Sequence, residues 1–189
     1  MTDPFDALRA PTGPIDPDPR FTTSLREQLR TTMEAPMPNT LSVQPYLTVD
    51  GAAAAIDFYV AAFGAVEEHR LVEPDGRIGH AELRFGDSRV ALADEYPDYD
   101  AIAPTTRGGT STQFTLEVTD ADAVVARAVA LGATLLRPVA DQFYGRRAGT
   151  IRDPWGHQWT IGSPLPGFDD AQYAANAEGI GLRLERPDA

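Results

Sequence analysis

The chain contains no cysteine and only three histidines among 189 residues. It can therefore carry no disulfide framework, no thiolate nucleophile and no cysteine-based zinc or iron–sulfur centre, which leaves His and carboxylates as its strong metal ligands. Positive charge is also scarce: 16 Lys+Arg against 28 Asp+Glu give a net charge of −12. Such a balance repels phosphate backbones and anionic headgroups, so neither nucleic acid nor a membrane surface is expected as a partner. All the basic residues are arginine, a bias from which nothing functional follows. Long apolar runs are missing too. The longest apolar-rich stretch, Gly51 to Val66, is interrupted by Asp57 and is too short to span a bilayer. The opening MTDPFDALRAP carries acids and prolines where a secretory leader has a basic and then an apolar stretch, so a cytoplasmic protein is expected.

What is present is enough apolar residue, 42%, for one domain with appendages. Residues 1–40 form an N-terminal extension. Five prolines in the first 20 positions predict irregular chain, and Phe21, Leu25, Leu29 and Met33 mark one stripe of a helix over 21–34, with Ser24 and Glu27 in capping-box spacing. This helix is a packing element or, on a different reading of the protein, a docking element of an interaction scaffold. The tail, 164–189, carries Pro164-Leu-Pro-Gly167 and a short helix near 169–177, and reads as peripheral.

Between 41 and 163 the chain repeats itself, as modules at about 41–95 and 110–163. Leu47-Thr-Val49, Ala52–Phe63 and Gly64-Ala65 align with Leu116-Glu-Val118, Ala121–Leu131 and Gly132-Ala133, each reading strand, helix, glycine stop. Three strand-like runs follow each helix, near 65–72, 77–85 and 88–93, then 133–137, 147–152 and 157–162. The expected fold is α+β: tandem βαβββ modules forming a curved eight-stranded mixed sheet around a cleft, with an extra N-terminal helix. Alternation puts Leu47, Val49, Leu83, Leu92 and Leu116 under the helices. The opposite, mixed face carries Gln44, Tyr46, His80, Glu82, Gln113 and Thr115, the face on which a ligand cleft is expected.

These modules, with Ala55-Ile-Asp-Phe-Tyr59, Phe63-Gly-Ala65, His80-Ala-Glu-Leu83 and Asp153-Pro-Trp-Gly-His157, resemble the vicinal oxygen chelate superfamily, also called glyoxalase/bleomycin resistance/dioxygenase. Gln44-Pro-Tyr46, His80-Ala-Glu82, Ala93-Asp-Glu95 and Tyr144-Gly…Arg147 resemble its PhnB-like branch. The resemblance implies either ligand sequestration or lyase, isomerase or dioxygenase chemistry, the latter usually with a divalent metal held by the first and last strands of each module. Those places fall on Gln44, Ala91, Gln113 and Thr160, which lack both imidazole and carboxylate, so no cofactor is expected and a divalent metal is not favoured, the alternative being displaced ligands that include His80 and Glu82.

Candidate catalytic groups are His80 and Glu82, a base with a carboxylate able to tune it, or, on the bland reading, part of a polar ladder with Arg84. Candidate ligand-binding groups are Gln44 and Gln113 as an amide pair on the cleft floor, Tyr46 and Tyr144 for stacking, and Arg147 as a fork for an anionic group. The loop 141–145 reads as a lid or wall. Arg147 reads rather as a salt bridge to Asp141 or Asp153, Trp159 as core, and His69 and His157 as solvated or capping residues. The acidic stretch from Asp94 to Asp100 reads as a cleft rim or a solvated loop. The function expected is metal-independent small-molecule binding, and exposed sheet edges suit a homodimer.

Overall fold

The computed structural model describes residues 18–34 and 42–185. The N-terminal part and the body from Gln44 onward are two separate units. The first contains helix α1, Pro19–Glu34. It begins earlier than the capping-box spacing implied: the Asp18 carboxylate accepts the Arg20 amide at 2.7 Å, leaving Ser24 and Glu27 inside the helix. Phe21 and Leu25 of its stripe are 59% and 41% exposed.

In the body, β1 (Tyr46–Val49), α2 (Ala52–Phe63), β2 (Val66–Val72), β3 (Ile78–Phe85) and β4 (Ser88–Asp94) form the first module. A short helix α3 (Pro104–Arg107) leads to the second, β5 (Gln113–Glu117), α4 (Ala121–Ala130), β6 (Thr134–Asp141), β7 (Arg146–Arg152) and β8 (Gln158–Pro164), and α5 (Asp170–Gly179) follows. The eight strands lie in two four-stranded mixed sheets, ordered β1-β4-β3-β2 and β5-β8-β7-β6, with β1 parallel to β4 and β5 parallel to β8. Strand β6 runs past Pro138, which ended the strand pattern in sequence. It is an edge strand whose register with β7 shifts between Arg137 and Ala140, the setting in which proline is tolerated.

Helix α2 starts where Asp94, from the end of β4, accepts the amides of Gly51 and Ala52 at 3.0 and 2.8 Å, and its other oxygen takes the Ile78 amide at 2.7 Å. It stops at Gly64, whose φ of 72° suits a residue without Cβ. Helix α4 starts at Asp120, whose carboxylate accepts the Ala123 amide.

The helix-side faces of both sheets close on one core. Trp159 of β8 lies against Tyr59 and Phe63 of α2, Phe85 of β3 and Phe114 of β5, with ring centroids 4.9–5.9 Å apart. At its centre the buried Asp153 carboxylate accepts the Tyr59 hydroxyl at 2.7 Å, the Trp159 indole N–H at 2.9 Å and the amides of Trp155 and His157. His157 is not solvated: it is 6% exposed, and its Nε2 lies 3.1 Å from the Thr48 carbonyl of the other module. Among the described residues no helix is long and apolar enough to cross a membrane.

Candidate functional site

Because the helix-side faces are spent on the shared core, the opposite faces of the two sheets look away from each other, and each carries its own hollow. On the first module β1 and β3 bring four expected residues together. The Tyr46 hydroxyl lies 3.1 Å from His80 Nδ1, and the Gln44 side-chain amide donates to Glu82 Oε1 at 3.2 Å. The His69 ring stands 5.6 Å from that of His80, across β2 and β3. Partial burial raises the Tyr46 phenol above its ordinary value. Arg84 and Arg89 are held by Glu68, and Arg89 also lies 3.8 Å from Glu82, so this face has the paired charges of a ladder as well as a site.

A hollow of about 370 Å³ beside Tyr46 is walled by Glu73, Tyr96 and Tyr99. The Tyr96 hydroxyl donates to Glu73 at 2.7 Å, which holds its phenol in the neutral form, and the Arg77 guanidinium stacks 4.8 Å over the ring. Of the acidic stretch, Asp94 is taken up by backbone amides and Glu95 accepts the Ala103 amide at 2.6 Å. Both carboxylates brace the fold, and Asp94, with Tyr96 and Tyr99 of the same stretch, also lines this hollow.

The larger hollow, about 870 Å³, lies on the second module, where Gln113, Arg137, Tyr144, Arg146, Thr160 and Tyr173 converge. Gln113 donates to the Thr160 hydroxyl, and the Arg146 guanidinium pairs with Glu117 at 3.0 Å. Gln44 and Gln113 thus do not form an amide pair within one chain, since each bonds a partner on its own sheet. Arg147 is not in the cleft. It turns to the helix side, where Asp122 of α4 and Asp141 hold it at 2.5 and 2.9 Å and raise its already high pKa further. Alternation along β7 carries the signal: Arg147 shares parity with buried Ile151, whereas Arg146 and Ala148 line the cleft. Arg146, Arg137 and the tail residues Phe168 and Tyr173 were missed, the last two because no strand or helix period ties a tail to a sheet face.

The four metal places implied by the resemblance do not fit an ion. Ala91 has no donor, the Gln113 amide and Thr160 hydroxyl bond each other, and Gln44 stands on the other module's face. Among the described residues no three His, Cys, Asp or Glu side chains converge as a metal cluster.

Comparison with known proteins agrees with this architecture. The profile of the Glyoxalase/Bleomycin resistance protein/Dioxygenase superfamily matches residues 40–161. An uncharacterized protein of Mycobacterium bovis, Mb0911c, is 43% identical over 145 residues, covering 74% of this chain and 95% of that one. Among solved structures, a gene product of Arabidopsis thaliana has a TM-score of 0.55 at 26% identity, covering 66% of this chain and 99% of that one. TioX from Micromonospora sp. ML1 has a TM-score of 0.51 at 27% identity, covering 68% and 99%. The repeated βαβββ units, the order of their strands and the match across both of them make this chain a member of the Glyoxalase/Bleomycin resistance protein/Dioxygenase superfamily.

Proposed function

We propose that this protein is a small-molecule-binding member of the superfamily, of the PhnB-like type, that holds its ligand without a metal and acts in the cytoplasm. The observation that carries this reading is the second-module cleft. Its volume, about 870 Å³, lies in the range of small-molecule sites, and it combines aromatic side chains with polar and charged groups converging from several strands and the tail. The weak donor set at the implied metal places supports binding over Lewis-acid chemistry, because amide carbonyls and a hydroxyl hold divalent first-row ions poorly.

The two module faces open on separate sides, and β1 and β5 each pair with only one neighbour, so each face is half a cleft with a free strand edge beside it. A homodimer that sets the first-module face of one copy over the second-module face of the other would close both halves and bring His80 and Glu82 to the same ligand as Gln113 and Tyr144.

The test is a fragment screen on the full-length protein by ligand-observed NMR and thermal shift, with light scattering for the mass in solution. Hits are expected to be lost on Tyr144→Ala and kept on Arg147→Gln, whose side chain lies outside the cleft. A complete absence of hits, or hits indifferent to Tyr144→Ala, overturns the reading.

A further inference from the structure

The chain beyond Ser163, peripheral by its sequence and outside the span matched by the superfamily profile, is built into the cleft. The Leu165 amide donates to the Gly145 carbonyl at 3.0 Å, and the Asn176 side chain donates to the Phe143 carbonyl at 3.1 Å, so both ends of the tail segment are tied to the 141–145 loop. Between them Phe168 occupies a notch that exists only because residue 145 is glycine. A Cβ there would stand 2.1 Å from the Phe168 ring, and the φ of +81° already disfavours any side chain. Phe143 stands 5.2 Å from Tyr144 and 6.1 Å from Tyr173, and Phe168 stands 6.5 Å from Tyr173. Three of these rings, Tyr144, Phe168 and Tyr173, line the cleft.

The charges of the cleft are unequally satisfied. Glu117 is paired with Arg146, Asp169 accepts the Gln172 amide at 2.8 Å as the cap of α5, and Asp170 is engaged as well. Arg137 instead has only a neutral partner, the Thr150 hydroxyl at 3.0 Å from its Nε, and no carboxylate within ion-pair distance among the described residues. Among the described residues the cleft thus leaves the Arg137 guanidinium on a neutral partner beside aromatic faces, while the three carboxylates of its lining, Glu117, Asp169 and Asp170, are each engaged elsewhere.

We infer that the tail makes this cleft a site for a planar aromatic anion, its ring against Tyr144, Phe168 and Tyr173 and its carboxylate or similar planar group on the terminal nitrogens of Arg137. A guanidinium fork matches a carboxylate in two parallel hydrogen bonds, and flat rings match aromatic walls. The inference rests on the reading of the cleft as a ligand site.

Calorimetric titration of the full-length protein with 2-naphthoate, with a naphthylmethyl-trimethylammonium salt and with cyclohexanecarboxylate tests it. The naphthoate is expected to bind at least tenfold more tightly than either of the others. Arg137→Gln, on a strand edge where the fold does not depend on its charge, should weaken naphthoate at least tenfold, as loss of a charge-assisted contact does. Tyr173→Leu should weaken it severalfold with the circular dichroism unchanged. Tighter binding of the ammonium salt, or an affinity unmoved by Arg137→Gln, overturns the inference while leaving the cleft a ligand site. If naphthoate fails where other fragments still bind and depend on Tyr144, the inference falls alone; if no fragment binds, the functional reading falls with it.

Discussion

Replacing Asp153 by alanine is the sharpest probe of how the two modules are held together. Its carboxylate is 4% exposed and accepts four hydrogen bonds: the Tyr59 hydroxyl at 2.7 Å and the Trp159 indole at 2.9 Å on one oxygen, the amides of Trp155 and His157 at 3.0 and 2.9 Å on the other. Tyr59 belongs to the first module and the rest to the second, so the carboxylate is the polar centre of their junction. Asp153→Ala strands four donors, of which the Tyr59 and Trp159 side chains are 0% and 2% exposed and out of reach of water. One buried unsatisfied donor costs about 1–3 kcal/mol and the four are not additive, so the expected loss is about 2–4 kcal/mol in all. Asp153→Asn keeps an acceptor for the two amides and offers an N–H to the Tyr59 oxygen, but sets that N–H against the Trp159 N–H. Its cost should be smaller, about 1–3 kcal/mol. Urea unfolding followed by the fluorescence of the chain's two tryptophans, compared at constant slope, reads both numbers. A loss below about 1 kcal/mol for Asp153→Ala, or an asparagine that costs more than the alanine, refutes the reasoning.

Two further outcomes follow from neighbouring contacts. Burial, reinforced by the adjacent Asp153 carboxylate, holds the Tyr59 phenol well above its ordinary value, so the stability it lends is present below pH about 10 and is lost as pH rises through its folded pKa. An ultraviolet titration should find one of the six tyrosines ionising only as the protein unfolds, and Tyr59→Phe should remove that step; ionisation of all six before any loss of circular dichroism counts against it. Gly145→Ala should displace Phe168 and loosen the tail, read as faster hydrogen exchange over 165–180 with the sheets unchanged, whereas unaltered exchange there would show that the notch does not hold the tail.

The secondary structure was legible because it rests on local periods. Ile56, Tyr59 and Phe63 repeat at helical spacing, Leu47 and Val49 or Ala81 and Leu83 alternate at strand spacing, and Gly64 and Gly132 mark the helix ends, so the order of elements in both modules and which faces are apolar could be read directly. Arg147 was legible in principle, through its parity with Ile151, yet its place beside a candidate lid loop suggested the cleft. Other features depend on which surfaces meet. Alternation shows that Gln44 and Gln113 lie opposite the helices, but not that Trp159 would join both helix-side faces in one core and so send the two amides to separate sides. His157 looks like a turn residue until the first module supplies the Thr48 carbonyl that buries it. The tail's role as a cleft wall required Phe168 to find the space left by Gly145, a contact between positions 23 apart in the chain and belonging to no repeating pattern. The sequence alone determined the elements and their apolar faces, because each is set by neighbours a few residues away. Only the tertiary structure decided which faces meet, and therefore where a ligand site lies, because that is settled by burial between distant segments.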